Sequence, residues 1–90
     1  MSEIRMFDDT HADVIRWGAE RDLYKQSSAQ QQIIKLTEEV GELAADVARG
    51  RSPVDSIGDI MVVLTHVAAF HGIGLEACYA HAYKQIEHRK

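Results

Sequence analysis

The sequence predicts an all-α domain of four helices in a bundle-like arrangement. Three observations predict it. The chain has a single proline, Pro53, and few β-branched clusters, so little interrupts helical hydrogen bonding or favours strands. Apolar residues recur at spacings of three and four. Gly50 and Gly72 stand just past two long periodic segments, where helices commonly stop. Ninety residues form one domain, 1–90, with no room for a second core.

The first helix is expected from about Thr10 to Lys25, with Asp8, Asp9 or Thr10 available as its N-cap. Val14, Ile15, Ala19 and Leu23 give it an apolar stripe, flanked by Trp17. An aromatic in that place reads first as core and second as a platform for a nucleobase. The second helix is expected from about Ser28 to Arg49, ending at Gly50, with Leu36, Val40, Leu43 and Val47 on one face.

The short loop Gly50-Arg51-Ser52-Pro53 makes the second and third helices antiparallel neighbours. Pro53 suits the first turn of the third helix and Ser52 its cap. That helix runs to about His71, and from Ile60 to Phe70 it is apolar on every side, the pattern of a helix buried all round. One inner face of so small a chain does not cover it, which points to dimerisation. The fourth helix, about Leu75 to His88, carries a stripe of Leu75, Cys78, Tyr79, Ala82 and Ile86.

The net charge of −4, from 14 acidic and 10 basic residues, opposes nonspecific nucleic-acid binding, which needs clustered Lys and Arg. It does not oppose an anionic small molecule, because a bound divalent ion reverses the local sign. No run of about 18 apolar residues predicts a membrane span. The start, MSEIRMFDDT, lacks the basic-then-apolar layout of a secretory signal. Cys78, the single cysteine, has no internal disulfide partner and no metal knuckle around it. These features together predict a cytoplasmic protein.

On the second helix Glu38, Glu39 and Glu42 fall within about 100° of arc, with Lys35 among them and Asp46 one turn beyond Glu42. Like charges at these spacings repel, and Gly41 between them costs about 0.5–1 kcal/mol against alanine. By itself such a string describes a solvated acidic face. The third helix changes the balance. Asp55 lies in its first turn, where the helix dipole favours a carboxylate. Asp59 lies nearly two turns in, beside Ile60 and Met61, on a stripe with Val62, His66 and Phe70. A carboxylate taken out of water there needs a partner, and the antiparallel neighbour offers Lys35 and more carboxylates. Hard oxygen donors converging with too few cations predict a Mg²⁺ site, Mn²⁺ being the alternative.

KLTEEVGELAADVARG (Lys35 to Gly50) followed by DSIGDIMVVLTHVA (Asp55 to Ala68) resembles the MazG-like all-α nucleoside triphosphate pyrophosphohydrolases. The likeness extends over the closing GIGLEACYAHAYKQIEHRK and more loosely over the Trp17 helix. The two-part motif EExxE…ExxD across a short loop carries it. By this resemblance Glu39, Glu42 and Asp59 are metal ligands, and Glu38 stands beside the metal and the catalytic water. The family's glutamate three residues before the final aspartate falls on Ser56 here, with Asp55 one position earlier as its stand-in ligand. Lys35, Lys84 and Arg89 match phosphate-binding bases, and Trp17 joins the substrate site. The resemblance implies Mg²⁺-dependent hydrolysis of (deoxy)nucleoside triphosphates to monophosphate and pyrophosphate, as nucleotide-pool housecleaning. It also implies a homodimer or homotetramer with the base pocket at a subunit interface.

Two other functions compete. A phosphoribosyl-ATP pyrophosphohydrolase is a similar-sized helical protein, although the pair Gly58-Asp59 leans away from it. A non-catalytic helical interaction module would leave the acidic face solvated or bound to a basic partner. Of the remaining residues, His66 and His71 read as packed or terminal, and His66 lies near 10 Å from Asp59 along the helix axis, too far to share its metal. His81 and His88 read as surface residues, Tyr79 and Cys78 as core, and Tyr83 as a possible border of the pocket.

Overall fold

The computed structural model describes residues 6–89, so expectations resting on residues 1–5 lie outside it. Five helices follow one another: α1 (Phe7–Glu20), α2 (Leu23–Gln26), α3 (Ala29–Ala48), α4 (Val54–Phe70) and α5 (Leu75–Ile86). No strand occurs among the described residues. The all-α expectation holds, but the helix count differs.

The first predicted helix is two. Asp22 takes a left-handed conformation, φ 56° and ψ 25°, and ends the run of α1. Aspartate tolerates that region because its short polar side chain can hydrogen-bond locally. The break redirects α2 and carries Tyr24 to α4. At the other end, α1 begins at Phe7, with Met6 in the N-cap position and no side-chain cap. Asp8 and Asp9 therefore lie in the first turn rather than at the cap, where their charge still favours the dipole.

The ends of α3 follow the sequence closely. Ser28 Oγ accepts the Gln31 N–H at 3.1 Å. Gly50, at φ +67°, closes a Schellman motif: its N–H donates to Val47 O and the Arg51 N–H to Asp46 O. Gly72, at φ +70°, ends α4 in the same manner through Ala69 O and Ala68 O. Pro53 stands at the N-cap of α4, one position earlier than predicted, and Ser52 Oγ accepts the Val54 N–H at 3.4 Å. The short loop leaves α3 and α4 packed together as the principal pair.

The core is small and partly polar. Among the described residues, Val63 and Ala68 are its buried apolar residues, alongside Gln32, Ser56, Thr65 and His66. The expectation that α4 is buried all round from Ile60 to Phe70 is met in part: Val63, Thr65, His66 and Ala68 are buried, whereas Met61 and Leu64 are half-buried. The reason is the direction of α5, turned 99° from α4 instead of lying along it. Consequently Cys78 and Tyr79, expected in the core, are exposed. His11 Nε2 lies 3.2 Å from Glu76 Oε2, which brings α1 against the first turn of α5. Among the described residues no single helix is long and apolar enough to cross a membrane.

Candidate metal centre and cleft

Glu39 and Glu42 lie one turn apart on α3, and Asp59 faces them from α4. Each offers a carboxylate oxygen, and the three oxygens lie within 4.8 Å of one another. Glu39 is half-buried but Glu42 and Asp59 are exposed, so Asp59 is not taken out of water as its apolar sequence neighbours led us to expect: the exposed face of α4 carries it. Burial, and then the charges of Glu42 and Asp59, push the Glu39 carboxyl above its ordinary value, against a partly offsetting Lys35. Glu39 Oε2 is buried with no hydrogen-bond partner. An acceptor-only oxygen in that condition needs a cation or a proton. A hard divalent ion suits the donor set, which contains carboxylate oxygen and nothing softer.

The cluster borders a cleft of about 420 Å³ between α1, α2, α3 and α4. That volume is in the range of small-molecule sites. Glu39, Asp59 and Lys35 line its acidic end, and Trp17, Leu23, Val62, Val63 and His66 supply rings and aliphatic surface. Trp17, read first as core, is 45% exposed and forms part of this wall, its ring 4.3 Å from the Arg21 guanidinium carbon.

The predicted residues separate into two groups. Glu39, Glu42, Asp59, Lys35 and Trp17 come together at the cleft or its rim. Glu38 is exposed on α3 and does not line the cleft. Asp55 is exposed in the first turn of α4, outside the cluster. Lys84 and Arg89 are exposed on and beyond α5 and do not reach the cleft of their own chain.

Ser56, where the resembling family carries glutamate, is buried and donates its hydroxyl proton to Asp46 Oδ2. Arg51 Nε donates to Asp46 Oδ1 at 3.1 Å. The Ser56 hydrogen bond, followed by Arg51, holds the Asp46 carboxyl below its ordinary value. Asp46 is thereby engaged in joining α3 to α4 and is not part of the Glu39–Glu42–Asp59 carboxylate cluster.

Sequence reasoning passed over Tyr24 and Gln32 and treated His66 as packing. His66 is 2% exposed, and its Nδ1 lies 2.8 Å from Tyr24 Oη. Gln32 is buried, and its Nε2 donates to Ser27 Oγ at 3.1 Å. The one signal available was the placement of His66 on the Asp59 stripe of an otherwise apolar helix.

No protein-family model matches the chain, and no solved structure matches it. A stretch of 58 residues is 43% identical to an uncharacterized 18.2 kDa protein from the rep-hol intergenic region of Haemophilus phage HP1 (strain HP1c1). The stretch covers 62% of this chain and 36% of the phage protein, so the chain spans about a third of the relative it matches.

Proposed function

We propose that this chain is a Mg²⁺-dependent nucleoside triphosphate pyrophosphohydrolase of the MazG-like type. One observation carries the proposal: three carboxylates from two antiparallel helices converge within 4.8 Å at the edge of a cleft with an apolar, aromatic wall. Triphosphate and base make those two demands, one on charge and one on stacking surface.

Glu39, Glu42 and Asp59 would hold Mg²⁺ or Mn²⁺. When bound, the ion supplies charge neutralisation and Lewis acidity toward the triphosphate. Lys35 stands beside the cluster and offsets phosphate charge. Glu38, exposed on the same helix outside the cleft lining, is the carboxylate that would turn toward the attacking water and accept its proton once a substrate is bound. Attack at the α-phosphorus then gives a nucleoside monophosphate and pyrophosphate, the chemistry of nucleotide-pool housecleaning.

A second copy of the chain belongs to this proposal. The Cα radius of gyration is 14.7 Å, against about 12 Å for a compact domain of this length. Phe7, Ile57, Met61, Leu64, Leu75 and Tyr79 line an apolar groove of about 630 Å³ beside α5. Covering it with a homodimer or homotetramer partner supplies the missing core. It also allows Lys84 and Arg89 of one copy to approach the cleft of another.

The test is a panel of NTPs and dNTPs with Mg²⁺, assayed separately for pyrophosphate and orthophosphate, with phosphoribosyl-ATP included. Pyrophosphate with monophosphate from a nucleoside triphosphate supports the proposal. Orthophosphate alone, or turnover of phosphoribosyl-ATP alone, overturns it. Absence of both turnover and Mg²⁺-dependent stabilisation favours an interaction module.

A further inference from the structure

We propose that His66 recognises the heterocycle of a bound nucleotide, its Nε2–H donating a hydrogen bond to an acceptor atom on the edge of the base. The inference deepens the nucleotide-hydrolase reading and rests on it for the class of ligand. Its own foundation is geometric. His66 is 2% exposed, lines the cleft, and has an Nε2 atom that is buried without a hydrogen-bond partner. Buried polar nitrogens are rarely left so, and a lone one in a cleft wall marks a place for a ligand.

The neighbouring Tyr24 hydroxyl bears on what that nitrogen offers. Tyr24 Oη lies 2.8 Å from Nδ1 and has no other hydrogen-bond partner among the described residues. We assign the phenol hydroxyl as the donor and the Nδ1 lone pair as the acceptor, the direction that leaves Nε2 free to carry a proton. The single proton of a neutral imidazole is then on Nε2. Nε2 is therefore a donor, which excludes a role as a metal ligand in this tautomer. No carboxylate hydrogen-bonds to the ring among the described residues, so nothing prepares it as an acid or base.

Distance and surroundings select the base rather than the phosphates. His66 follows Asp59 by seven residues on one helix, about 10 Å along its axis. That is the order of the reach of a nucleoside from its first phosphate to its base. Trp17, Leu23, Val62 and Val63 line the same cleft as His66 and give it surface suited to a flat ring. The Trp17 ring lies nearly parallel to the imidazole, 22° apart with centroids separated by 6.1 Å.

Trp17 is the only tryptophan, so its emission reports on this end of the cleft. The full chain is titrated in EDTA with deoxynucleoside monophosphates carrying each of the DNA bases. At least one is expected to change Trp17 emission saturably and to shift the ¹⁵N resonance of His66 Nε2. H66F is expected to weaken that binding by roughly tenfold, the order set by one lost hydrogen bond. H66Q, which restores an N–H near Nε2, is expected to recover much of it. Saturable binding with no Nε2 shift in the unaltered protein overturns the proposal, whether or not either variant folds. So does the absence of monophosphate binding. Monophosphate binding with the Nε2 signature, but no pyrophosphate from any triphosphate, leaves the base site standing and overturns the hydrolase. Pyrophosphate release with no Nε2 shift does the reverse.

Discussion

The hydroxyl of Tyr24 and Nδ1 of His66 meet at 2.8 Å across forty-two residues of chain. Gly18 makes the meeting possible. A Cβ there would lie 3.0 Å from both His66 Cε1 and Tyr24 Oη. Tyr24 also sets its ring edge-on to His66 and to Phe70, so three elements share this contact.

Gly18→Ala therefore tests the contact by the sign of its effect. In an unencumbered helix the change stabilises by about 0.5–1 kcal/mol. Here the crowding of two aromatic rings costs about 1–3 kcal/mol, and the net effect is loss. Thermal unfolding followed by circular dichroism is expected to show a Tm several degrees lower than that of the unaltered protein. A rise in Tm would show that the rings give way freely.

Glu39→Gln separates the cost of the carboxylate cluster from its use. The Glu39 carboxyl is raised above its ordinary 4.5 by burial and by Glu42 and Asp59. The folded state thus holds this proton more tightly than the unfolded state. The penalty is fully present above the folded value and vanishes as pH falls below 4.5. At pH 7 in EDTA the variant is expected to melt higher than the parent. Mg²⁺ is expected to raise the Tm of the parent and to leave that of the variant unchanged. Differential scanning calorimetry with and without Mg²⁺ reads both effects.

Ser56→Ala acts in the opposite direction. The Asp46 carboxyl is held below its ordinary 3.8 by the Ser56 hydroxyl, with Arg51 second. Its contribution is present above 3.8 and is lost as pH falls through the depressed folded value. The variant is expected to be less stable than the parent at pH 7, with the gap narrowing below 3.8. Urea denaturation across that range measures it, and a gap independent of pH would refute the linkage.

Asp59→Asn and Asp55→Asn distinguish the carboxylate inside the cluster from the one outside it. Loss of a metal ligand is expected to lower kcat/KM for pyrophosphate release by at least ~100-fold. Asp55 serves the first turn of α4, so its variant is expected to retain activity within about threefold, with a small loss of helix stability. Equal losses from both variants would bring Asp55 back among the ligands.

The sequence by itself determined the helical class, both ends of α3 and the stop of α4. The apolar spacing of three and four, Ser28 as a cap, and Gly50 and Gly72 as left-handed stops are local features, expressed within a turn or two of chain. It also determined which carboxylates could converge, because Glu39 and Glu42 share a face and the loop from Gly50 to Pro53 is too short for anything but an antiparallel return. Tertiary structure decided the rest. It broke the first predicted helix at Asp22, turned α5 away from α4, bonded Ser56 to Asp46, and left Asp55 outside the carboxylate cluster. It placed an unpartnered imidazole nitrogen in the cleft wall. The physical reason is the range of the forces involved. Periodicity and capping act between near neighbours, whereas a buried polar atom finds or lacks its partner only where distant segments meet.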